Sequence, residues 1–349
     1  GFDVFTGDGQ FLWSYEQQDD TYIQDVDVSD DGEHIVSISH AYLSVFSKDS
    51  STPEWTWTSS DDNGGSIQDV EISGNGEKIA IATYPAGGCQ NNCYTLFLFD
   101  TDSEDYEWRS QAGGLRKVIL SEDGSSLVAY RYQYSSQIRY YDTDDSSVDW
   151  TDSVYLDTAA FSKNGDYLVV GYGSKLSVYE TDDGDKEWTF DTGDTDVDIG
   201  IVDISDNGNY IAAQELSWDN DDYEEKLHYF SRNSSTPIWS TSNYDLPGYK
   251  GPGTATPEIL SSDGTKIFVG AQSQSVYFFD SSNSTPLWRG SISADADCSD
   301  SRPVQVSISN DGQRAASVCW NSLSIHDNVN LSHVKRTDKL VIALNSEDI

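Results

Sequence analysis

The 349-residue sequence contains no methionine, only four cysteines, and 20 Lys and Arg against 60 Asp and Glu. The shortage of basic charge excludes most. At a net charge of -40 the chain repels phosphate backbones and anionic head groups, so neither nucleic acid binding nor direct membrane insertion is expected. No apolar run approaches the ~18 residues of a membrane span; the longest are short ones such as LVIAL at 340–344. Absence of Met fits an oxidising milieu, where thioethers are damaged, and equally fits chance or source composition. Because the chain opens at Gly1, the initiator and any signal peptide are expected to lie outside it.

What is present is aromatic. Ten Trp, 21 Tyr and 12 Phe recur at regular places, as a β-rich core requires and a disordered acidic chain does not. The regularity comes from a repeat. An apolar residue, Ser, any residue, Asp or Asn, then Gly occurs seven times: VSDDG ending at Gly32, ISGNG at Gly76, LSEDG at Gly124, FSKNG at Gly165, ISDNG at Gly208, LSSDG at Gly264 and ISNDG at Gly312. Asp-Gly and Asn-Gly favour tight hairpin turns, and each joins two alternating apolar runs. A third run follows, such as LSVFS, LFLFD or VYFFD, and then a fourth carrying the Trp of TPEW, YEW, VDW, KEW, TPIW or TPLW.

Four short strands per repeat, with anchors spaced from 41 residues (Gly124 to Gly165) to 56 (Gly208 to Gly264), predict an all-β fold: a seven-bladed β-propeller of four-stranded antiparallel blades. Residues 1–328 make the propeller. FDVF and FLWSY, within 1–16, serve as closing strands of the last blade, so the ring is closed by strands from both termini. Residues 329–349 form a C-terminal extension with an extra strand. The third strands number eight, one more than seven blades need, which makes either Phe2–Phe5 or the 340–344 run surplus. The surplus strand either lines its own last blade or joins subunits by adding to a neighbour's sheet edge, with Lys335, Arg336 and Lys339 meeting an acidic neighbour.

These phrases resemble the PQQ-like and WD40-like propeller repeats of secreted or cell-surface archaeal and bacterial proteins, over nearly the whole chain. The resemblance implies a fold rather than an activity. No quinone pocket and no adjacent cysteine pair is recognisable, so PQQ is not expected as a cofactor, and none is required. The Gly-His and Trp-Asp signature of eukaryotic WD40 blades is absent too.

In a propeller the Asp-Gly turns lie on one face and the remaining connections on the other. Those remaining connections are the ones that vary here, with long segments at 83–94, 214–226, 241–257 and 293–303. Long loops on a rigid scaffold are where binding residues concentrate, which selects Tyr84, Trp218, Tyr223, Tyr244 and Tyr249 as ligand candidates. Asp194, Asp196 and Asp198, spaced at alternate positions, and Asp219 and Asp221 suggest calcium; no Glu completes an EF-hand, and a solvated acidic cluster is the alternative. Cys89–Cys93 and Cys298–Cys319 are expected disulfides, against free thiols. Asn233, Asn283 and Asn330 open N-glycosylation sequons, which also arise by chance in a chain rich in Asn and Ser. His34, His40, His228, His326 and His333 are scattered, and no nucleophile or metalloprotease motif appears.

The expected function is a non-catalytic binding or assembly module, extracellular or on the cell surface, recognising protein or glycan or copies of itself. The alternative is a secreted enzyme acting on carbohydrate or another small substrate at the long-loop face.

Overall fold

The computed structural model describes residues 1–6, 10–17, 22–59, 65–84, 95–113, 115–130, 137–217, 226–241, 259–270, 275–291, 305–319, 322–327, 330–336 and 340–343. Among them are thirty β-strands and no α-helix. The chain divides into two compact units, residues 1–156 with 342–349, and residues 157–341.

The first unit holds three antiparallel four-stranded sheets: Ile23–Val28 to Trp55–Thr58, Ser66–Ile72 to Tyr106–Ser110, and Lys117–Leu120 to Trp150–Asp152. The second holds the sheets of Thr158–Phe161 to Lys186–Asp191, Val197–Ile204 to Trp239–Ser240, Lys266–Gly270 to Trp288–Ser291, and Gln305–Ile308 to Asn330–Arg336. The third of these has three strands, Leu260 contributing only a bridge to Ile267. An eighth sheet, of three strands, joins Phe11–Tyr15, Phe2–Phe5 and Leu340–Ala343.

The repeat predicts seven sheets; eight are present among the described residues. The two N-terminal strands do not complete the sheet around Gly312, because Asn330–Arg336 already pairs with Ser322–Asp327 there. They pair with Leu340–Ala343 instead, so neither terminal segment is surplus. Each of the eight third strands has its own sheet.

The Ser of the repeat explains why the turns are alike. Ser29 Oγ donates to Asp31 Oδ1 at 2.6 Å and accepts from His34 N at 3.1 Å. The same pair of bonds recurs at Ser73, Ser121, Ser162, Ser205, Ser261 and Ser309. Each Gly stands at positive φ, from 64° at Gly312 to 74° at Gly124, where a Cβ is strained. The turns also bond sheet to sheet: Asp30 N to Gly74 O at 2.9 Å and Asn75 N to Glu122 O at 2.8 Å in the first unit, and Asp206 N to Ser262 O and Ser262 N to Asn310 O, both at 3.0 Å, in the second.

The repeated Trp has an equally regular task. Its indole N–H donates to the carbonyl just past the third strand of the next sheet: Trp13 to Lys48 O, Trp55 to Thr101 O and Trp108 to Thr143 O in the first unit, Trp188 to Arg232 O and Trp239 to Ser281 O in the second. Each ring leans on that strand's buried aromatic. Trp55 lies 5.9 Å from Phe99, Trp108 5.9 Å from Tyr141, Trp188 5.7 Å from Phe230 and Trp239 6.0 Å from Phe279. A large apolar body with one polar handle seals a sheet-to-sheet interface and satisfies the carbonyl beside it.

Candidate functional site

Tyr84, the last residue of Lys78–Tyr84, is exposed, with the Arg116 guanidinium 5.5 Å from its ring centre. Trp218, Tyr223, Tyr244, Tyr249, Asp219, Asp221, Cys89, Cys93 and Cys298 lie outside the described residues. So do the side chains of Cys319 and Asn330, though their backbones lie in strands. Asn233 and Asn283 are exposed at the turns between third and fourth strands. Asp194 and Asp196 are exposed, and the Asp194 carboxylate accepts from Asp196 N at 2.9 Å. Among the described residues no group of three or more His, Cys, Asp or Glu could hold a metal ion.

Two polar arrangements are built into the strands. The first consists of carboxylates on first strands. Asp27 Oδ2 accepts from Ile72 N at 2.8 Å and Asp69 Oδ2 from Val118 N at 2.9 Å, each clasping the first strand of the next sheet. In the second unit Asp203 Oδ2 accepts from Ile259 N and Leu260 N, both at 2.8 Å. Burial pushes Asp27 up to about 6, although Ile72 and Val28 amides oppose it. It pushes Asp203 up to about 7 against three amide donors.

Around Asp69 the charges crowd. It bonds Lys117 Nζ at 2.7 Å and shares a hydrogen bond with Asp25. Burial and then Asp69 lift Asp25 well above the carboxylate range, and burial and then Asp27 do the same for Glu71. Burial disfavours charge on Lys117, but Asp69 and its neighbours outweigh it and hold the ammonium above its ordinary range. With one cation among four carboxyls, the cluster holds its protons to higher pH than free carboxyls would.

The second arrangement lies in the second unit, where Tyr210–Ser217, Lys226–Ser231 and Trp239–Ser240 end beside the connections 218–225 and 242–258. Glu215 and His228 are buried, and His228 Nε2 lies 2.8 Å from Glu215 Oε2. His228 Nδ1 lies 2.8 Å from Ser240 Oγ, while Lys226 Nζ bonds Glu215 Oε1 at 2.9 Å. Burial opposes the Glu215 charge, but the bonds from His228 and Lys226 prevail and hold its carboxyl below the usual range. The pairings His228↔Ser240 and Glu215↔Lys226 bring the residues together across three strands. The sequence singles out only His228, as one of five scattered histidines; the signal for more is LHYFS, which has His where LSVFS and LSVYE have Ser.

Neither a protein-family model nor a curated protein sequence matches the chain. Among solved structures, it is similar to the C-terminal WD40 domain of Sif2, with a TM-score of 0.63 and 13% identity over 88% of this chain and 82% of that one. The fold is therefore a WD40-like β-propeller. As 1284 solved chains match, a scaffold so widely shared says little of activity.

Proposed function

We propose that the chain is a binding module of the extracellular space or cell surface, which takes a protein or glycan ligand on the long connections of the second unit. The observation that carries this reading is the contrast between the two ends of its sheets. At one end the Ser-x-Asp/Asn-Gly turns repeat one hydrogen-bond pattern and are bonded to one another. At the other, Tyr172 and Lys175 face each other across a tight turn, whereas Ser217 and Lys226 are separated by 218–225 and the next first strand is reached only after 242–258. Variable segments carried on a rigid scaffold are the usual plan of a recognition surface. Exposure of Asn233 and Asn283 on turns leaves both sequons accessible, as a secreted chain needs, and the net charge of -40 disfavours nucleic acid as the partner. Leu340–Ala343 pairs with Phe2–Phe5 on one side and stands last in its described sheet, so a second copy added at that edge is the alternative partner.

The test replaces 242–258 with a short Gly/Ser linker and compares binding to glycan and protein arrays. Retained melting behaviour with lost binding supports the reading; equal binding by both forms, or none by the parent, overturns it.

A further inference from the structure

We propose that Glu215, His228 and Ser240 make a nucleophilic serine site that accepts acyl groups from activated esters. This goes beyond recognition. The Glu215 carboxylate can only accept at His228 Nε2, so in the neutral imidazole that nitrogen carries the ring proton and Nδ1 is left as an acceptor. The 2.8 Å contact at Nδ1 is then a hydrogen bond donated by the Ser240 hydroxyl. A nucleophile, a base and a carboxylate that orients the base stand in line, with both links at hydrogen-bond length. The base and its orienting group are buried, whereas Ser240 is exposed on the last strand of its sheet.

Neighbouring sheets supply a comparison. At the equivalent places of the preceding sheet Tyr172, Ser177 and Thr189 form a chain of hydroxyls, at 3.0 and 2.8 Å, and Ser44 and Thr56 pair likewise at 3.3 Å. The position thus favours a cross-strand polar chain, and in one sheet that chain consists of groups that move a proton. Ser317 and His326 also meet at 2.8 Å, but Ser317 is fully buried, burial pushes His326 down to about 4, and its Nδ1 has no partner.

In the reaction Ser240 Oγ bonds the acyl carbon as its proton passes to His228 Nδ1. The ester C–O bond then breaks and the proton leaves with the alcohol. Water, deprotonated by His228, attacks the acyl-serine and releases the carboxylic acid, returning the proton to Ser240.

The probes are p-nitrophenyl acetate and a fluorophosphonate, applied to the full chain. With the fluorophosphonate, the Oγ–P bond forms as fluoride leaves. Peptide mapping should place the phosphonate on Ser240 and not on Ser317. S240A should abolish both adduct and ester turnover, H228Q should slow labelling by about 100-fold, and E215Q should slow it by about tenfold, a loss of ~1.4 kcal/mol in the barrier. No adduct on Ser240 of the parent protein overturns the proposal, whatever the variants do. So does equal labelling of E215Q and parent at equal melting temperature, which would leave the cluster a structural one.

Discussion

At the scale of single residues, the repeat is a set of hydrogen-bond assignments. Ser73 is fully buried and serves two bonds at once, donating to Asn75 at 2.7 Å and accepting from Lys78 N at 2.9 Å. S73A leaves that amide without its acceptor in a place water does not reach, so it should cost about 1–3 kcal/mol in denaturant unfolding. W239F keeps most of the ring packing on Phe279 but orphans Ser281 O; about 1 kcal/mol is expected. These tasks were readable from sequence because each uses one residue type at one place, seven times for Ser and nearly as often for Trp. The polar chain of Glu215, His228 and Ser240 occurs once, across three strands, and no spacing rule reveals it.

Among elements, the first strands carry a burden their sequences hide. VDV, DVE and VDI alternate like half-solvated strands, yet Asp27, Asp69 and Asp203 turn to the neighbouring sheet and cap its amides. Alternation tells which face a residue takes, not whether another sheet covers that face. The consequence is a pH dependence with a definite sign. Asp27 and Asp157 are raised to about 6 and Asp203 to about 7, and Asp25, Asp69 and Glu71 are raised as well. An unfolded Asp titrates near ~3.9, so above that value the fold binds more protons than the unfolded chain. The contribution of each is fully present below about pH 4 and is lost as pH rises through its folded value, about 6 for Asp27 and Asp157 and about 7 for Asp203. Asp280, lowered to about 2 mainly by Lys266, and Glu215 act the other way, losing their contribution as pH falls through their folded values. The lowered carboxyls are ionised in both states above about pH 5, and His326, pushed down to about 4 by burial, opposes the raised groups only up to about pH 6.5; the six raised carboxyls outnumber it, so melting temperature should fall between about pH 5 and about pH 8. D203N should flatten that slope while keeping an oxygen for Ile259 and Leu260; a slope unchanged in D203N would remove Asp203 from the account.

For the whole molecule, the sequence revealed the sheet plan but not the count, and the reason is local. Asn330–Arg336 has no Trp, the mark of fourth strands elsewhere, so the repeat pattern does not reach it. Pairing of Phe2–Phe5 with Leu340–Ala343 joins the two ends of the sequence, a contact that no local pattern encodes. Net charge, by contrast, is fully readable, and at -40 it makes self-repulsion a property of the folded chain. The described ion pairs relieve it only in places, most of them at partly exposed side chains such as Lys175–Asp191 and Lys266–Asp280. Salt should therefore stabilise. Raising NaCl from about 0.01 M to about 1 M shortens the screening length from ~30 Å to ~3 Å, and melting temperature at pH 8 should climb with it. At pH 5 the climb should be smaller, because the raised carboxyls hold protons there and fewer charges remain to screen. Equal salt responses at the two pH values would show that the salt effect comes from solvent exclusion rather than from charge, and a flat response at both would remove self-repulsion as a determinant of stability.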